Sequence, residues 1–120
     1  MASMIKIAVD AMGGDNSPEK VINGIIHHYA TNKDIFYKIF GDEQKIVKYI
    51  NNKINKDNYL IVNTLNIVSS EDSPLEAAKR GKDTSMWLAV ESVKKKDCDI
   101  VISAGNTGAF LVISKLNLKM

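Results

Sequence analysis

Short runs of β-branched and apolar residues alternate along the chain with stretches whose apolar residues recur at helical spacing. This alternation restricts the fold more than any other feature of the 120 residues. Ile5 to Val9 reads as a strand that breaks into Asp10-Ala-Met-Gly-Gly-Asp15. Asn16 or Ser17 is placed to cap a helix with Pro18 and Glu19 in its first turn, and Val21, Ile22, Ile25, Ile26 and Tyr29 form its apolar stripe. Phe36 to Phe40 predicts a second strand, Gly41-Asp42 a turn, and Ile46, Val47, Ile50 and Ile54 the buried side of a second helix. A third strand is expected over Tyr59 to Val62, extending toward Thr64.

The polar stretch Ser69 to Pro74 leads to a short helix through Ala77 and Ala78 that ends near Gly81. Ser85 to Lys96 predicts a helix with Met86, Ala89, Val90 and Val93 on one side. Cys98 to Ile102 is almost continuously apolar, as expected of a central strand covered on both faces. Beyond Ser103-Ala-Gly-Asn-Thr-Gly108, the run from Ala109 to Leu118 has so little polar surface that a helix there is expected to be buried nearly all round.

Strands and helices in this order imply right-handed crossovers and a doubly wound, mostly parallel α/β sheet of about four strands. Residues 1–120 contain no internal boundary and suit one domain with a real core. The last helix runs to Met120 without a capping glycine, which suggests a partial domain cut rather than finished.

Composition removes several classes of function. With 45% hydrophobic and 25% charged residues and a net charge of +2, the chain is an ordinary globular type. Arg80 is the sole arginine and the lysines are scattered among acids, so nucleic acid is not an expected partner. The single Cys98 allows no internal disulfide and suits a reducing, cytoplasmic setting. No apolar run is long enough to cross a bilayer.

Ligands of parallel sheets bind beyond the carboxyl ends of the strands, which is where both glycine loops fall. In the later loop, Gly105 and Gly108 let a ligand approach the backbone, and N–H groups opening the next helix can meet an anion, with Ser103, Asn106 and Thr107 adding polar side chains. An ordinary turn capped by Asn106 or Thr107 has the same pattern. In the earlier loop Asp10 and Asp15 flank Gly13 and Gly14. Two carboxylates without a histidine or a third acid make a poor metal site, and none is expected. Arg80-Gly-Lys-Asp-Thr-Ser-Met86 offers Lys82 and Ser85 to a phosphate, against the plainer reading that Thr84 or Ser85 caps a helix and the basic residues are solvated. His27 and His28 are adjacent on a helix, about 100° apart, and so cannot share a metal. No Walker loop, dinucleotide-binding glycine motif or zinc spacing is present.

In order, I-K-I-A-V-D-A-M-G-G-D, the G-D after the second strand, D-S-P, R-G-K-D-T-S-M and S-A-G-N-T-G-A together resemble the phosphate acyltransferase family called PlsX, over nearly the whole chain. The sequence departs from the family pattern at Gly81, where a basic residue is usual, and at Thr84, where serine is commoner. The resemblance implies the amino-terminal part of a single domain of the kind seen in isocitrate dehydrogenase and phosphotransacetylase. The implied activity transfers a fatty acyl group from acyl carrier protein to inorganic phosphate, giving an acyl phosphate for phospholipid synthesis. No redox cofactor is implied. The expected partners are acyl carrier protein, phosphate, a second copy in a homodimer and a peripheral membrane contact. Asn106, Lys82 and Asp10 are then the expected catalytic residues, and Gly13, Gly14, Asp15, Ser85, Ser103, Gly105, Thr107 and Gly108 the phosphate-binding ones. A phosphate- or nucleotide-binding module without acyl transfer, or a portion inactive by itself, stays open as the other reading.

Overall fold

Four parallel strands in the order β3-β2-β1-β4 form the centre of the protein in a computed structural model that describes residues 4–14, 16–64, 73, 83–103 and 107–118. The strands are β1 (Ile5–Asp10), β2 (Ile35–Gly41), β3 (Tyr59–Asn63) and β4 (Ile100–Ser103). Their helices are α1 (Glu19–Tyr29), α2 (Glu43–Ile50), α3 (Ser85–Lys94) and α4 (Thr107–Leu118). The architecture is the expected α/β one.

Because side chains alternate across a strand, β1 and β2 supply two separate cores. Val9, Ile35, Tyr37 and Ile39 pack on one face with Ile22 and Ile25 of α1 and Ile46 and Ile50 of α2. Ala8 and Phe40 point the other way, to Ala89 of α3 and to Cys98. Met86, Trp87 and Val90 of α3 then carry Ala109 and Ile113 of α4 as an outer layer. The chain moves from β1 outward to β3 with helices on one face and returns to β4 with α3 on the other, as right-handed crossovers in opposite directions require.

Several local expectations change. Neither Asn16 nor Ser17 caps α1: Pro18 occupies the cap position with no side-chain hydrogen bond, and the Ser17 hydroxyl donates to the Gly13 carbonyl instead. The glycine loop thereby keeps the serine that the helix would have used. α2 ends at Ile50, because Asn51 leaves the helical conformation and Asn52 takes φ 63°. Ile54 joins the core from beyond the helix, while Val47 is exposed.

β4 is shorter than the apolar run, and among the described residues it is not covered on both faces. Asp97 and Cys98 N–H groups bond the Ser92 carbonyl and close the end of α3, so pairing with β1 starts later. Among the described residues β4 pairs only with β1, and Ile100 and Ile102 remain 49% and 45% exposed. α4 is not buried all round: Ala109 and Ile113 are covered, but Leu111 is 64% exposed. The expected helix through Ala77 and Ala78 lies outside the described residues.

Candidate functional site

The sheet changes direction between β1 and β4, where one connection leaves β1 toward β2 and another arrives at β4 from β3. The peptide ends of two such strands splay their loops apart and leave a crevice. Asp10 and Ser103, the last residues of β1 and β4, are direct register partners at this point.

Asp10 is 2% exposed and collects three donors. Its Oδ1 accepts from the Ser85 hydroxyl at 2.6 Å and the Met12 N–H at 3.2 Å, and its Oδ2 accepts from the Ser103 hydroxyl at 3.0 Å. One carboxylate therefore joins the first glycine loop, the end of β4 and the first turn of α3. Burial pushes the Asp10 carboxyl above the ordinary aspartate value, against the pull of the bonds from Ser85, Ser103 and Met12. Ser85 reaches Asp10 because its neighbour does the capping: Thr84 Oγ1 accepts from the Trp87 N–H at 3.2 Å.

Next to this cluster a cavity of about 840 Å³ opens between α1 and the sheet. Asp10, Gly13, Gly14, Ser17, Lys20 and Ser103 surround its polar end. Gly14 has φ 85°, a conformation in which a side chain would be strained, so the loop can turn here only with glycine. The cavity continues past Val9, Ile102, Val21, Gly24 and Ile25 to His28 and Tyr37, where His28 Nδ1 lies 2.6 Å from the Tyr37 hydroxyl.

The structure thus brings Asp10, Gly13, Gly14, Ser85 and Ser103 to one edge of the sheet. Thr107 opens α4 and Gly108 lies in its first turn, half-buried. Asp15, Lys82, Gly105 and Asn106 lie outside the described residues, as does Arg80. The hydroxyl hydrogens of Ser85 and Ser103 point to Asp10, so with the carboxylate ionised these two serines orient the site rather than donate outward.

Sequence reasoning missed Lys20, Gly24, His28 and Tyr37. The available signal was the spacing of Lys20, Gly24 and His28, which recur every four residues and form one ridge of α1 beside its apolar stripe. Among the described residues no three His, Cys, Asp or Glu side chains are grouped to hold a metal, and no helix is long and apolar enough to cross a membrane.

Comparison with known proteins gives consistent matches. A phosphate acyltransferase of Pelagibacter ubique is 65% identical over 120 residues, covering all of this chain and 36% of that protein. Phosphate acyltransferases of Streptococcus uberis and Streptococcus thermophilus are 44% and 46% identical over 90% and 88% of the chain, and over 31% and 30% of their own lengths. The chain thus spans about a third of the curated relatives it matches. The model of one family, described as Fatty acid synthesis protein, matches residues 5–120. With that match over nearly its full length, the chain belongs to the Fatty acid synthesis protein family, the PlsX family that its motifs resemble.

Proposed function

We propose that the intact protein transfers a fatty acyl group from the thioester of acyl carrier protein to inorganic phosphate, releasing an acyl phosphate for lipid synthesis. The observation that carries this reading is the Asp10 hub, which gathers a glycine loop, a strand end and a helix start at the sheet's switch point, beside an apolar cavity. The relatives' name, phosphate acyltransferase, supplies the chemistry.

Phosphate is a usable nucleophile that is heavily hydrated and anionic, so its site must replace water and hold charge. Backbone N–H groups at residues 105 to 108, with Asn106 and Thr107, form the cradle in this proposal, and the amino-terminal ends of α3 and α4 add positive potential. Lys82 closes the cradle and shields charge, while Gly13, Gly14 and Asp15 shape the facing wall. A phosphate arriving beside Asp10 raises the carboxyl further toward its protonated form. The Ser85 and Ser103 hydroxyls, no longer held as donors to it, then turn toward the anion.

A phosphate oxygen attacks the thioester carbonyl carbon, a new bond forms between that carbon and the phosphate oxygen, and the C–S bond breaks with its electron pair leaving on sulfur. The carrier departs as a thiolate. Little proton transfer is needed.

The test is phosphate saturation of acyl phosphate formation by the intact protein and by its Asn106→Leu variant. The expected result is loss of phosphate saturation with the fold retained, whereas an unchanged phosphate KM removes Asn106 from the site. Calorimetry of the intact protein with phosphate, palmitoyl phosphate and nucleotides separates acyl transfer from a simple phosphate- or nucleotide-binding role.

A further inference from the structure

We propose that the groove between α1 and the β1–β4 face binds the alkyl chain of the acyl substrate, with the reacting carbonyl at the Asp10 and Ser103 end. This inference rests on the acyl-transfer reading above and assigns that reading a second subsite.

Three observations support it. The cavity has the size of a small-molecule site and the usual makeup of one, an apolar body with a few polar groups at its ends. Asp10 and Ser103 of the cluster line its polar end with Gly13, Gly14 and Ser17, and Lys20 stands beside them to complement an anionic head group. Its apolar part follows the strand direction, and from Lys20 to His28 the helix advances about 12 Å, enough for a medium-length alkyl chain.

Gly24 is the more specific clue. It lies inside α1, where glycine weakens a helix, and a Cβ placed on it would meet no atom within 4 Å. Among the described residues no neighbouring side chain or backbone requires glycine there. A chain sliding along this ridge does, because a side chain at position 24 would occupy the groove. Val21 and Ile102 then form its two walls, and the His28–Tyr37 pair closes its far end with a polar stop.

A Cβ at position 24 meets no atom within 4 Å, so Gly24→Phe directs its ring into the groove, and far-UV circular dichroism checks that the fold is kept. In the intact protein, kcat/KM is measured for acyl donors of increasing chain length, with Gly24→Ala as the smaller step. Displacing two or more methylenes from an apolar site costs about tenfold or more. The ratio of long-chain to short-chain kcat/KM is therefore expected to fall by at least that factor in Gly24→Phe and much less in Gly24→Ala, with the phosphate KM moving little in either. A loss uniform across chain lengths, or no change, overturns the proposal.

A second measurement does not depend on turnover. Gly24→Cys is treated with a maleimide in the presence and absence of dodecylphosphonate, and the alkyl compound is expected to slow labelling in proportion to its occupancy. Equal labelling with and without it overturns the alkyl subsite. So does a thiol already unreactive in the ligand-free protein, because a polypeptide segment then fills the groove. An intact protein that makes no acyl phosphate from any donor, yet shows alkyl protection at position 24, refutes the reaction and leaves the subsite standing.

Discussion

Asp10 and Ser85 are 75 residues apart in the chain and 2.6 Å apart in the structure, and the bond between them joins the end of β1 to the start of α3. Ser103 makes the matching bond to the other carboxylate oxygen. Both bonds are buried or nearly so, which makes their loss measurable.

Replacing either serine with alanine removes one donor from a buried carboxylate, and each change should cost about 1–3 kcal/mol of unfolding free energy in the intact protein. Because the two serines share Asp10, the effects should not add. A double-mutant cycle of Ser85→Ala and Ser103→Ala is expected to show a coupling of about 0.5 kcal/mol or more. Strict additivity would mean that the two bonds are independent.

Asp10 also sets a pH dependence. Burial raises its pKa in the folded protein above the ordinary aspartate value that holds in the unfolded chain, so the unfolded chain gives up this proton first as pH increases. The contribution of Asp10 to stability is fully present below that value and is lost as pH rises through the higher folded-state value. Asp10→Asn removes the titration. The stability of the unsubstituted protein relative to Asp10→Asn should therefore decline from acidic pH upward and then level off, as read by urea unfolding at a series of pH values. The opposite slope would show that the hydrogen bonds outweigh burial.

The Thr84 cap predicts a different pair of outcomes. Thr84→Ala should destabilise the protein by about 1–2 kcal/mol, while Thr84→Ser, which keeps the hydroxyl and loses only the buried methyl group, should lose less. Denaturant midpoints give both values. A large loss in the serine variant would point to the buried Thr84 methyl group instead of the cap.

Gly41 is restricted by packing. A Cβ there would lie 2.8 Å from Ile46 Cδ1 and 3.0 Å from Met12 Cγ and Sδ, so the core side chain of Ile46 and the half-buried one of Met12 must shift to admit it. Gly41→Ala is expected to cost about 1–3 kcal/mol. A neutral result would mean that Met12 and Ile46 repack freely.

The layer architecture was legible in the sequence because each helix stripe and strand run carries its own period. Ile22 and Ile25, or Met86 and Val90, mark a buried face without any knowledge of partners. The exposure of Ile102 and Leu111 was not legible, since apolar character gives the potential for burial but not which neighbour supplies it. Ser17 illustrates a local ambiguity: its hydroxyl can cap a helix or brace a loop, and the Gly13 carbonyl decides. Asp10, Ser85 and Ser103 could be selected as candidates from their loops, but their convergence on one carboxylate depends on strand order. The groove was harder still to see. Its walls come from α1, β1, β2 and β4, and in the sequence only the four-residue spacing of Lys20, Gly24 and His28 marked that ridge of α1.

The partners of Asp10 at positions 85 and 103 also constrain how the protein can be assembled during synthesis. A nascent chain that has reached only β3 can already pair β1, β2 and β3 and bury most of the first core, yet of the carboxylate's three donors it holds only the Met12 N–H. The hub closes only when α3 and then β4 dock beside β1, so the fourth strand of the described sheet completes the site begun by the first.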